Sequence, residues 1–302
     1  MAVVATAALA VAATASTAPG QTTVALTSQP IHHSATLAPN GLTTFTVTCP
    51  KGYAASSGGV TAPVFGTVAL KSAPSAAGSG WTFRFLNKTA QAQTVMVVVT
   101  CVKPRPLKLP KLKASVVPAY SVKSVKAAIA AIGAGERKTV KVTCPKDYAP
   151  VGSGYDLQPG GKRLYGARLA EDAFPAVTFS HPVQGGWEWS VQGGTARGAA
   201  ELTATCGPRI VRAKKGKRRG SRRVTVTRQT AVDRLNAGAN RIQHPCRTGV
   251  AVGAGFGLPG GRPIDVHGAA ADSTADGLWY FFLDIDRPAG ETTVETYLLC
   301  AT

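Results

Sequence analysis

The chain has 302 residues, with 34 Lys and Arg against 15 Asp and Glu and a formal net charge of +19. Its 44% hydrophobic content is enough for folded cores, which excludes a disordered polyelectrolyte, and no segment beyond the N-terminus has the length of a membrane-spanning helix. Six cysteines without CxxC spacing argue against zinc and thioredoxin-type chemistry, and for a disulfide framework in an oxidising compartment.

Residues 1–18 are small and apolar, with candidate cleavage sites after Ala15 and Ala18. They read as a signal peptide without a basic n-region, so the protein is expected to be secreted or associated with the cell surface.

The first unit, 22–102, starts with a β-rich piece at Val24–Leu26, then alternates through Phe45-Val47-Cys49. Tyr53 and the Gly58-Gly59 pair follow the cysteine. Trp81-Phe83-Phe85 and Val95-Val97-Val99-Cys101 alternate again. Period two with one apolar set marks a half-buried strand. The sequon Asn87-Lys88-Thr89 lies between the last two runs and matters only in a eukaryotic secretory pathway.

The same order returns in 115–208: Val122–Val125, Val140-Val142-Cys144, Tyr148, Gly152 and Gly154, Trp187-Trp189-Val191, and Ala200-Leu202-Ala204-Cys206. It returns a third time in 224–302: Val224–Val226, Ile242-His244-Cys246, Val250, Gly253-Gly255-Gly257, Trp279-Phe281-Leu283, and Val294-Thr296-Leu298-Cys300. Cysteines in phase with core residues at both ends of a unit predict the sequential bridges Cys49–Cys101, Cys144–Cys206 and Cys246–Cys300. Those bridges close separations of 52, 62 and 54 residues.

The expected fold is therefore all-β: three tandem small β-sandwich units, immunoglobulin-like in architecture, each with one intradomain disulfide. Each Trp precedes the second cysteine rather than following the first, which separates the pattern from the true immunoglobulin family. The long charged connections favour separate beads; the rival is one closed pseudo-threefold β structure, such as a prism.

The modules Cys49-Pro50-Lys51-Gly52-Tyr53, Gly58-Gly59, Gly80-Trp81 and Cys101 carry a resemblance. The chain resembles secreted repeat proteins of actinobacterial type, over most of 42–302 in three copies. The resemblance brings no activity. The third copy departs from the pattern, losing the Pro after its first cysteine and the Gly directly before Trp279.

Fourteen of the 19 net charges lie in two connectors: five basic residues in 103–114 and nine in 209–223, with no acidic residue in either. The Pro-alternating Lys103–Lys111 is expected to be an extended spacer. The second connector carries Arg209, Arg212, Lys214, Lys215, Lys217, Arg218, Arg219, Arg222 and Arg223, and with two glycines it is expected to be flexible. Such a cluster attracts polyanions by counterion release, so these nine residues are the candidate binding set. The expected partner is an anionic polymer or the cell envelope; a solvated spacer is the plain alternative. Helix-turn-helix, zinc-finger and RNP signatures are absent. No aromatic residue interleaves with the cluster, which argues against a specific single-strand reader.

Catalytic signals are weak. Gly255–Gly260 matches GxGxxG, but Pro259 suits no helix there and the segment is the third copy of the repeat's glycine turn. There is no GxSxG elbow, Walker A loop or HExxH. Of the five histidines, His32 and His33 read as surface and His244 as a satisfied core or edge residue. Asp272–Gly277 is a candidate calcium turn without the full EF-hand loop, and Asp284 and Asp286 share one strand face. The in-phase tryptophans read as core rather than as a carbohydrate platform. The expectation is a non-catalytic exported spacer or adhesion protein with no cofactor. A calcium- or carbohydrate-binding module array is the alternative, and a hydrolase the weaker one.

Overall fold

The computed structural model describes residues 25–60, 66–109, 115–159, 174–235, 238–257, 265–271, 278–285 and 292–302. The expected signal peptide, the turn 272–277, Asp286 and Pro259 lie outside them. Among the described residues the fold is all-β, without a helix.

The first unit runs β1 (Leu26–Leu37), β2 (Gly41–Thr48), β3 (Ala54–Val60), β4 (Thr67–Pro74), β5 (Gly80–Asn87) and β6 (Gln93–Pro104). A connector follows with β7 (Leu107–Lys108) and β8 (Ser115–Val116). The second unit is β9 (Lys123–Ile132), β10 (Arg137–Thr143), β11 (Tyr148–Pro159), β12 (Ala176–Val183), β13 (Gly186–Gln192) and β14 (Gly198–Pro208). The next connector holds β15 (Ile210–Lys215) and β16 (Arg218–Arg223). The third unit is β17 (Val226–Leu235), β18 (Gly238–Pro245), β19 (Val250–Gly257), β20 (Asp265–Ala271), β21 (Leu278–Ile285) and β22 (Thr292–Ala301).

All three units share one pairing scheme, entirely antiparallel. The sixth strand sits between the first and third, and the fifth between the second and fourth. Core residues from both sets of strands meet between them: Val47, Phe83 and Phe85 face Val95, Val97 and Val99 in the first unit. Each disulfide ties the segment after the second strand to the sixth strand, and all three follow the sequential pairing. Trp81, Trp187, Trp189 and Trp279 are buried, as their phase with the core residues predicts.

The units are not separate beads. Strand β4 pairs with β11 through Tyr155–Ser72 and Asp156–Lys71, and β12 pairs with β19 through Ser180–Phe256, so two six-stranded sheets run across the unit boundaries. Strand β20 lies beside β3 and returns the chain to the first unit. One core is continuous around Trp187 and Trp189. It takes Leu26 and Val102 from the first unit and Val250, Val252 and Leu299 from the third. The mostly buried Asp156 locks the first junction, accepting from Lys71 Nζ at 2.8 Å and from Arg84 at 2.6 Å.

The glycine cluster of the repeat explains the closure. Strands β3, β11 and β19 each carry a β-bulge at the same place opposite their sixth strand, at Ser56, Val151 and Val252. The residues after the bulges are Ser57, Gly152 and Gly253. A Cβ on Gly152 would land on the carbonyl oxygen of Ser56, and one on Gly253 on that of Val151. Ser57 completes the cycle by donating its hydroxyl to Val252 O at 3.3 Å. Each unit thus presses its bulge onto that of the preceding one, and two of the three contacts require glycine.

A second repeat feature is a buried hydrogen bond. Trp81 Nε1 donates to Ser72 Oγ and Trp187 Nε1 to Ser180 Oγ, both at 2.9 Å. Ala269 holds the corresponding register position opposite Phe281 in the third unit, and Trp279 Nε1 has no hydrogen-bond partner among the described residues. The third unit therefore departs from the pattern here as well as at its missing Pro and Gly. The sequon's Asn87 is buried; its side chain donates to Gln91 O at 2.8 Å, so it is not presented for glycosylation.

Candidate polyanion-binding surface

The second connector is not a flexible linker. In Ile210-Val211-Arg212-Ala213-Lys214 apolar and basic residues alternate, which puts Val211 and Ala213 on one face of a strand and the cations on the other. Strands β15 and β16 pair over six residues, Ile210–Arg223 to Lys215–Arg218. The ribbon turns through Gly216-Lys217, with Gly216 at φ 61°, a positive angle that glycine adopts without steric cost. Its base is tied by the Val224 amide donating to Arg209 O at 2.7 Å and by Arg209 Nε donating to Tyr148 O at 3.1 Å.

The first connector is not a plain extended spacer either. Its strands β7 and β8 pair through Leu107–Val116 and Lys108–Ser115. Leu107 and Leu109 are buried with Ala213 against Val116. Gly220, opposite Ala213, leaves the room that Leu109 fills. Two connectors about 100 residues apart in sequence thus form one two-layered element, apolar between the layers and basic outside. Arg105 and Lys108 are exposed and join the nine sequence-assigned residues. The alternation of Lys108 with Leu107 and Leu109 was the signal for Lys108; none marked Arg105.

Of the nine, Arg222 is half-buried and the other eight are exposed. Lys214–Arg219 and Lys215–Arg218 are like-charge pairs directly across the ladder, an arrangement that costs free energy in isolation. Among the described residues, no carboxylate lies within salt-bridge distance of Arg212, Lys214, Lys215, Lys217, Arg219 or Arg223. Anions from outside the chain would relieve this repulsion.

Other polar groupings are structural in character. His244 Nε2 lies 2.8 Å from Asp233 Oδ2, which also accepts from Thr296 Oγ1 at 2.9 Å, so His244 is partnered at the core edge. No group of three or more His, Cys, Asp or Glu side chains suited to a metal occurs among the described residues. Gly255 and Gly257 of the GxGxxG match lie in a strand, where no helix begins to receive a pyrophosphate. With all four tryptophans buried, no tryptophan platform for a sugar remains.

Between the second and third units, His181 packs on Phe179 and edge-on to Tyr297, with Glu188 4.0 Å away. Burial lowers the His181 pKa below its ordinary 6.5; Glu188 opposes this and Arg228 adds to it. In the folded chain His181 thus binds its proton more weakly than in the unfolded chain. Stability is intact above about pH 6.5 and declines as pH falls below it. The melting temperature is expected to drop between pH 7.5 and 5.5, and His181→Phe to reduce that drop. An unchanged profile in the variant would exclude His181 as the source.

No protein-family model matches the chain, and no curated protein matches it.

Proposed function

We propose that this is a non-catalytic exported protein, a spacer or adhesion element of three small immunoglobulin-like sandwich units. In this reading the two-layered basic element attaches it to an anionic polymer or envelope. The observation that carries this is the convergence of two distant basic connectors on one ordered element, in which Arg212, Lys214, Lys215, Lys217, Arg219 and Arg223 have no carboxylate within salt-bridge distance among the described residues. A solvated spacer has no need of Leu107, Leu109 and Ala213 buried between its layers. Three disulfides are compatible with an oxidising, extracellular setting and support the exported part of the proposal.

The test is retention on immobilised polyphosphate and heparin against rising salt. The intact protein is compared with a variant in which the eight basic residues from Arg212 to Arg223 are changed to glutamine. Each anion contact contributes roughly 0.9 to the slope of log affinity against log salt. Loss of several contacts is expected to weaken binding at least ~100-fold at 0.1 M salt. Arg105→Gln with Lys108→Gln is expected to give a smaller loss, because it removes only the cations of the other layer. Equal retention of intact protein and eight-site variant would leave the element a spacer.

A further inference from the structure

The ordered geometry narrows the class of polyanion. Beyond Ala213 and Gly220 no described apolar residue is packed beneath the ribbon, and Lys214, Lys215, Gly216, Lys217, Arg218 and Arg219 are all exposed. Five of these six residues are cationic. Neighbouring residues in a strand point to opposite faces, and residues directly across a ladder point to the same one. Lys214 and Arg219 therefore occupy one face of the tip and Lys215 and Arg218 the other. Behind the tip, Arg212 and Arg223 extend the first face, while Lys108 points outward from the opposite layer.

A flat anionic surface, such as a lipid headgroup layer, meets one face of such a ribbon and leaves the other cationic face in water. Anions on both sides at once require a groove. The major groove of B-form DNA has a row of phosphates on each wall and is about 12 Å wide, which admits a two-stranded β-ribbon, and it is about 8.5 Å deep. The tip, two residues beyond the last apolar pair plus the turn, reaches ~7–10 Å. No aromatic side chain lies in the tip to stack on unpaired bases.

We infer that the partner is double-stranded DNA, with the Lys214–Arg219 tip seated in the major groove and the cations behind it on the flanking phosphates. This rests on the polyanion reading and specifies its ligand. The recognition is by phosphate and groove shape, so it tolerates sequence.

The experiment measures fluorescence anisotropy of labelled DNA with the full chain: a 24-base-pair duplex and a single strand of the same sequence. Phosphatidylglycerol vesicles compete at equal phosphate. The duplex is expected to bind at least ~10-fold tighter than the single strand, and vesicles to displace it poorly. Two variants separate groove from surface: Lys214→Gln with Arg219→Gln on one face, and Lys215→Gln with Arg218→Gln on the other. Each is expected to weaken duplex binding ~10-fold or more and to lower the salt slope by about two. A loss confined to one face, equal binding to the single strand, or full displacement by vesicles overturns the DNA inference and leaves polyanion attachment standing. No binding to any of the three at 50 mM salt overturns both. Unchanged melting of each variant shows that the tip, and not the fold, was altered.

Discussion

Gly152→Val is expected to unfold the whole protein at temperatures where the native chain is stable. The new Cβ would fall on the Ser56 carbonyl oxygen, 2.9 Å from both Ser57 Cβ and Thr205 Oγ1. Two of these groups belong to the neighbouring unit's bulge, so relief means parting two units rather than turning a side chain. The move would also break the bond that Thr205 Oγ1 donates to Ser56 O at 2.6 Å. Overpacking a well-filled site commonly costs 1–3 kcal/mol, and a buried hydrogen bond adds about 1 kcal/mol. A loss of about 3 kcal/mol or more follows. Gly253→Val is expected to behave alike, because its Cβ meets the Val151 carbonyl. Ser57→Gly at the third equivalent position is the control: it removes one long hydrogen bond and should cost about 1 kcal/mol or less. Urea titration reads all three. A Gly152→Val chain with the native midpoint would mean that the bulges do not press together.

Removing the Cys144–Cys206 bridge by substituting both residues with alanine has the second large effect. The bridge closes a separation of 62 residues, and the chain-entropy model assigns such a loop about 4 kcal/mol. The other two bridges close 52 and 54 residues, a difference of under ~0.2 kcal/mol by the same relation. Entropy alone therefore predicts three equal losses. The topology predicts otherwise. Both six-stranded sheets pass through the second unit, which supplies β11, β14 and β9 to one and β10, β13 and β12 to the other. Loosening it releases two paired junctions, whereas loosening either end unit releases one. The middle double variant is expected to lose more than either end variant and to disturb all three units together. Tryptophan fluorescence follows the first unit through Trp81 and the third through Trp279, after tryptophans elsewhere are replaced by phenylalanine. Three equal losses confined to their own units would show that the junctions transmit nothing.

Strand phase and disulfide pairing were legible because both are local and periodic. A core residue recurs every second position, and a cysteine in that phase faces its partner across the same core. The partnered state of His244 followed from its phase in the same way. The order within the connectors was harder to see, since Pro, Lys, Arg and Gly in a run signal solvation. Four apolar side chains brought together across about 100 residues outweigh that composition. Arg105 and Lys108 were missed as part of the basic element for this reason.

The all-β character, the three bridges, the burial of the tryptophans and the location of the positive charge were legible in the chain alone. These follow from alternation, spacing and count, which no distant contact alters. That distant strands join in shared six-stranded sheets, and that the charged connectors become a two-faced ribbon, emerged from the three-dimensional arrangement. A glycine in a turn and a glycine beneath another unit's carbonyl look alike in sequence, since only the approach of a remote backbone separates them. The faces of the ribbon likewise depend on which residues stand across from each other. That register follows from the two-residue turn at Gly216-Lys217, and the Leu107, Leu109 and Ala213 contact decides which face meets the other connector.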